Sequence, residues 1–194
     1  MRLSLKIAAL GLVLSAGSLW GAHGWQSSTA QDKKSEPPMQ APQPGPEMQR
    51  LHFLIGTWDW NAEYVKSEAM PEGGKETGWY KAQLGPGGFS LIADFDADGP
   101  MGKETGHEVL TWDPKKNAYT TMIVGNAFPG AVMGQAHWDG DKLVTDSQFG
   151  EGDQAMQLRS VYSNIRENTT HMEDFVKNPK GDYVLIWQGE ATRK

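Results

Sequence analysis

From Thr57 the chain alternates between apolar and polar positions. Trp58, Trp60, Ala62 and Tyr64 fall on one face and Thr57, Asp59, Asn61 and Glu63 on the other. This two-residue period is that of a strand with one face in a core and the other in water. Segments of similar length recur at 76–84, 88–96, 105–112, 118–125, 131–138, 143–150, 155–163, 169–177 and 182–191. Turn residues punctuate them: Gly85-Pro86-Gly87-Gly88, Asp98-Gly99-Pro100, Asp113-Pro114, Asp139-Gly140-Asp141, Gly150-Glu151-Gly152 and Asn178-Pro179-Lys180-Gly181. Glycine and aspartate supply left-handed backbone at such places, and proline a fixed φ. About ten short strands joined by tight turns predict an all-β, antiparallel, up-and-down meander. Closure into a barrel is expected over an open sandwich, because a closed sheet has no unpaired edge.

Ahead of the strands, Met48, Leu51, His52 and Ile55 have helical spacing, which predicts a short amphipathic turn that caps one end of the barrel. Further upstream the pattern stops. Residues 25–47 are rich in Ser, Gln, Lys and Pro, with Pro42, Pro44 and Pro46 at alternate positions. They have little to bury, and the prolines favour extended, unpaired backbone, so this stretch is expected to be a disordered linker. Residues 1–24 run from Arg2 and Lys6 through an apolar segment to Gly21, Ala22 and Gly24, the order of a secretory signal. The apolar run is shorter than the roughly 20 residues that span a bilayer core. The expected organisation is therefore a signal peptide at 1–24, a linker at 25–47 and one barrel domain at 48–194. The mature protein would start near Trp25, periplasmic or secreted, with no stable membrane insertion after cleavage.

Composition narrows the partners. Of the 194 residues, 18 are basic and 24 acidic, a net charge of −6, and loss of Arg2 and Lys6 with the leader leaves 16 basic residues and a charge of −8. Such a domain repels the phosphates that dominate nucleic-acid binding, so no nucleic acid partner is expected. There is no cysteine, which excludes disulfides, thiolate metal sites, a cysteine nucleophile and a lipoprotein anchor.

The string Leu51-His52-Phe53-Leu54-Ile55-Gly56-Thr57-Trp58 resembles the entry motif of the calycins, the lipocalin and fatty-acid-binding superfamily. That resemblance implies a glycine, Gly56, where the chain turns closely, an indole, Trp58, at the barrel floor, and Arg193 as the cation stacked on it. With Leu84-Gly85-Pro86-Gly87-Gly88-Phe89, Asp98-Gly99-Pro100-Met101-Gly102 and Leu110-Thr111-Trp112-Asp113, the chain from Met48 onward also resembles a bacterial family of uncharacterised proteins with a lipocalin-like barrel. Pro86-Gly87 is inserted into a Leu-Gly-Gly-aromatic string of that family, which implies a longer hairpin. The opening strand is similar, more distantly, to that of nitrobindin, a haem-binding barrel whose iron ligand is a histidine near the C-terminus. This resemblance makes haem a possible cofactor and His171 its candidate ligand.

The residues themselves mark no catalytic site. His52, His107, His137 and His171 are widely spaced, and His107-Glu108 lacks the second histidine of a zinc-protease helix, so no metal is predicted. Asp94, Asp96 and Asp98 share a strand face, and Glu173-Asp174 follow later. Held together, such groups could form a general acid, but without a nearby histidine or lysine they read as a solvated outer face. Asn168-Thr169-Thr170 matches a glycosylation acceptor, a motif short enough to arise by chance. Aromatic and methionine side chains are abundant, and a barrel of this strand number is wider than its own side chains fill. The leading expectation is a binding protein that holds an apolar or amphipathic ligand, with Trp60, Tyr64, His107, Met122 and His171 as candidate contacts. The alternatives are an envelope interaction protein with a filled core, and a hydrolase or isomerase that uses the cavity with His107 or His171 as base.

Overall fold

The computed structural model describes residues 42–67, 70–150, 152 and 155–194. The expected signal peptide, and the linker as far as residue 41, lie outside the described residues. The chain enters through a single helical turn, α1 (Pro46–Arg50), and a 3-10 turn, His52–Leu54. Proline in the first turn suits α1, since its missing N–H has no helical partner there.

Ten strands follow: β1 (Gly56–Tyr64), β2 (Gly74–Leu84), β3 (Ser90–Gly99), β4 (Gly102–Asp113) and β5 (Ala118–Gly125). Then come β6 (Ala131–Asp139), β7 (Lys142–Phe149), β8 (Met156–Ser163), β9 (Thr169–Lys177) and β10 (Tyr183–Arg193). Each pairs antiparallel with its neighbours in sequence, and β1 pairs with β10 to close the barrel. The closed meander expected from the turn spacing is what forms. β4 starts three residues earlier than the alternation predicts, because Gly99 pairs with Gly102 and the turn shrinks to Pro100-Met101. The insertion at 86–87 forms a 3-10 turn, Pro86–Gly88, between β2 and β3.

Register fixes which side chains face the axis. Trp58 lies opposite Tyr80 and Arg193, Trp60 opposite Gly78 and Ala191, and Ala62 opposite Glu76 and Gly189. Around the wall the inner set continues through Phe95, Glu108, Ile123, Ser147, Leu158 and Asp174, each in phase with these.

The two halves of the interior differ. At the end under α1, Met48, Leu51 and Leu54 join Leu91, Leu110, Tyr119 and Leu143 in a dry core. Leu51, Leu91 and Leu143 are fully covered, and burial of each such side chain stabilises by roughly 1.5–3 kcal/mol. Tyr119 ties the plug to the wall: its hydroxyl donates to the Glu47 carbonyl at 2.8 Å and accepts the Trp138 indole N–H at 3.2 Å. Trp58 donates its own N–H to the Leu54 carbonyl at 3.1 Å. No helix among the described residues is long and apolar enough to cross a membrane.

Candidate ligand cavity

Above the plug the barrel holds a cavity of about 240 Å³. Its walls include Trp60, Tyr80, Phe95, Tyr162, Met172 and Trp187. Small residues on neighbouring strands make room for the rings. A Cβ at Gly78 would collide with the Trp60 indole, and one at Gly106 would sit 2.5 Å from Phe95 Cζ.

Carboxylates punctuate this aromatic wall. Glu76 is 7% exposed and accepts both the Trp60 and the Trp187 indole N–H on one oxygen, at 3.2 and 3.0 Å. Two indole donors, from β1 and from β10 beyond it, explain how one carboxylate is held in an apolar surround. Glu108 accepts the Tyr80 hydroxyl at 3.3 Å. Burial pushes its pKa up to about 7, and the Tyr80 hydrogen bond works against the rise. The pKa of Asp174 is pushed up to about 6 by burial, with a hydrogen bond donated by Ser160 opposing the rise and Glu76 adding to it. Glu104, nearer the open end, is raised by burial and by Glu76. The phenols of Tyr64, Tyr80 and Tyr162 are all raised, first by burial and then by these carboxylates, so they stay protonated donors.

The sequence-predicted contacts divide between the two faces. Trp60 lines the cavity, and Tyr64 stands on the same inner face, within reach of Glu76 and Glu104. His107, Met122 and His171 lie on the outer face, a correction to their expected place in the wall. His107 pairs in the sheet with Val124, and its Nδ1 is 2.6 Å from Asp94 in solvent. Met122 pairs with Met133 on the outside. His171 is opposite Glu190, with 2.7 Å between Nδ1 and the carboxylate. In each strand the neighbouring residue, Glu108, Ile123 or Met172, takes the inward position, since the alternation runs unbroken there.

No histidine among the described residues lines the cavity. The site therefore does not fit the haem ligation expected of His171, and the hydrolase or isomerase scheme with a histidine base has no inward imidazole to use. Asp94 and Asp98 are exposed and Asp96 pairs with Lys103 at 3.2 Å, so this acidic run is the outer face of β3. At the floor the Arg193 guanidinium lies 4.3 Å from the centre of the Trp58 ring, and Gly56 has φ +119°.

The sequence pattern does not single out Glu76, Glu104 or Glu108, and it places Asp174 on the outer face. The available signal was phase: Glu108 stands two residues before Leu110 and four before Trp112, and Glu76 is in step with Tyr80 and Ala82. A carboxylate in phase with the apolar face of a strand is a candidate interior group.

A family model described as "Protein of unknown function (DUF1579)" matches residues 43–193. The chain belongs to the DUF1579 family. No curated protein matches it. Among solved structures, the S-type phycobiliprotein lyase CPES from Guillardia theta is similar at 10% identity, with 76% of this chain and 90% of that chain covered and a TM-score of 0.49. A de novo designed fluorescence-activating β-barrel is similar at 10% identity, over 74% of this chain and 95% of the design, with a TM-score of 0.39. A redesigned barrel, mFAP0, bound to DFHBI, is similar at 12% identity over 73% and 99%, again with a TM-score of 0.39.

Proposed function

We propose that this DUF1579 protein is an exported carrier that holds a small amphipathic molecule inside its barrel. The observation behind the reading is the cavity itself: about 240 Å³ walled by Trp60, Trp187, Phe95, Tyr80 and Tyr162, with a few polar groups set among the rings. Concave, mostly aromatic sites with sparse, placed polar groups are the usual form of a small-molecule site, and this volume, just under the common range of about 300–1,000 Å³, suits a small ligand. Export rests on the charged, apolar and small segments of residues 1–24.

Native mass spectrometry of protein purified from its own compartment tests the reading, together with tryptophan emission during titration with an apolar fluorescent probe. A stoichiometric added mass, or a probe that shifts the emission of wild type but not of a Phe95→Trp variant with a filled cavity, is expected. Bare protein that takes up no probe would remove the carrier reading. N-terminal sequencing of the mature chain tests export, with Trp25 as the expected first residue.

A second reading has one observation in its favour. Glu108, its pKa raised by burial to about 7, could give or take a proton near neutral pH. An enzyme that used it would act on a substrate seated against Tyr80 and Tyr162, and turnover would vanish in Glu108→Gln.

A further inference from the structure

The cavity has a charge as well as a shape. Glu76, Glu104, Glu108 and Asp174 all stand on the inner face by register. Among the described residues that line the cavity there is no lysine, arginine or histidine. The basic groups lie elsewhere: Arg193 is held at the floor by the Phe53 and Glu167 carbonyls, Arg159 pairs with Asp146, and Lys103 pairs with Asp96. Glu76 is satisfied by two indoles. Glu108 accepts the Tyr80 hydroxyl at 3.3 Å, and Asp174 accepts a hydrogen bond from the Ser160 hydroxyl. These leave much of each carboxylate's capacity as an acceptor free, since an ionised carboxylate has about four lone-pair sites.

Two further features of the same space favour a positive guest. The faces of Trp60, Trp187, Phe95 and Tyr162 carry the negative side of the aromatic quadrupole, which attracts cations. In the same lining, Thr145 and Ser147 on β7 and Ser160 on β8 present hydroxyl oxygens.

We infer that the cavity takes a small organic cation, an ammonium group on an apolar or aromatic body, with the charge set toward Glu108 and Asp174 and the body against the rings. This rests on the carrier reading above and adds the sign of the cargo's charge. Buried anions cost free energy unless a positive group or a proton meets them. Burial holds Glu108 and Asp174 where a proton serves when no cation is present. The groups that face them are Tyr64 from β1, Glu76 and Tyr80 from β2, Glu104 from β4 and Tyr162 from β8. The phenols stay neutral, so pH acts through the carboxylates.

The test compares three probes of one shape: 2-phenylethylamine, 2-phenylethanol and phenylacetate, titrated into the full mature protein by calorimetry and tryptophan emission. At pH 8 the amine is expected to bind at least tenfold more tightly than the alcohol, and phenylacetate not at all. The amine should lose tenfold or more of its affinity between pH 8 and pH 5.5, as Glu108 and Asp174 take up protons, while it remains a cation throughout. Glu108→Gln and Asp174→Asn, each checked for wild-type circular dichroism, should each weaken the amine about tenfold and the alcohol far less. Should one variant fail to fold, the other and the wild-type pH series carry the test. Equal binding of amine and alcohol, or preference for phenylacetate, overturns the cationic cargo and leaves the carrier standing. Failure of all three to bind removes the carrier reading and the inference with it.

Discussion

Arg193 lies over Trp58, its guanidinium carbon 4.3 Å from the ring centroid, while its Nη1 donates to the Ile55 carbonyl and its Nη2 to that of Phe53 at 2.8 Å. The last residue of β10 thus clamps the segment that leads into β1. Trp58 is 3% exposed and fills the space beneath the cation.

Trp58→Ala is therefore expected to cost about 3–5 kcal/mol, the range for large aromatic deletions in a core. Arg193→Ala should cost about 2 kcal/mol, from lost charged hydrogen bonds and the ring contact. Gly56→Ala is strained twice, since φ is +119° and the new Cβ would meet Arg193 Nη1 at 2.7 Å. Urea denaturation measures all three, and a Trp58→Ala protein as stable as wild type would remove the clamp.

Stability without ligand should fall as pH rises through neutrality. In the fold, Glu108 is raised from an ordinary value of 4.5 to about 7 and Asp174 from 3.8 to about 6. The native state therefore binds more protons than the unfolded chain between about pH 4 and 7, and the stability linked to them is present below that window and lost across it. Shifts of this size correspond to a loss on the order of 3 kcal/mol for each carboxylate over the whole window. Melting temperatures at pH 5 and pH 8 should show it, and Glu108→Gln should reduce the difference to the part that Asp174 carries.

His107→Ala and His171→Ala should leave the affinity of any cavity ligand within about twofold of wild type, since surface substitutions away from a site act weakly. Both imidazoles are paired on the outer wall, with Asp94 and Glu190. Loss of ligand binding in either variant would show that the register of β4 or β9 differs from that described.

Thr121→Val should hold or raise stability by about 1 kcal/mol, because it replaces a buried hydroxyl lacking a partner with a methyl group of like shape. Thermal unfolding of the variant is the check, and a marked loss would mean that Oγ1 has a partner.

The barrel was legible because its alternation is enforced by water on one side only. Trp58, Trp60 and Tyr64 repeat on one face against Asp59, Asn61 and Glu63, and no helical period competes. The charged interior was not legible by the same rule. Lys103-Glu104-Thr105-Gly106-His107-Glu108 is polar on both faces, so hydrophobicity cannot assign its phase. Only its continuation into Leu110 and Trp112 does. His171 stood out by chemistry, yet the residue beside it, Met172, has the inward place.

Closure of the sheet also bears on how fast the protein folds and unfolds. Every ladder but one joins strands adjacent in sequence, so hairpins can form locally at little cost in chain entropy. The seam between β1 and β10 is the exception: Arg193 meets Ile55 across 138 residues. An order of events in which the hairpins assemble first and the seam zips last follows as a hypothesis. Residues that form their contacts after the transition state affect the unfolding rate and spare the folding rate. A chevron plot of Arg193→Ala should then show a faster unfolding limb and an unchanged refolding limb; a slowed refolding limb would place the seam in the nucleus instead.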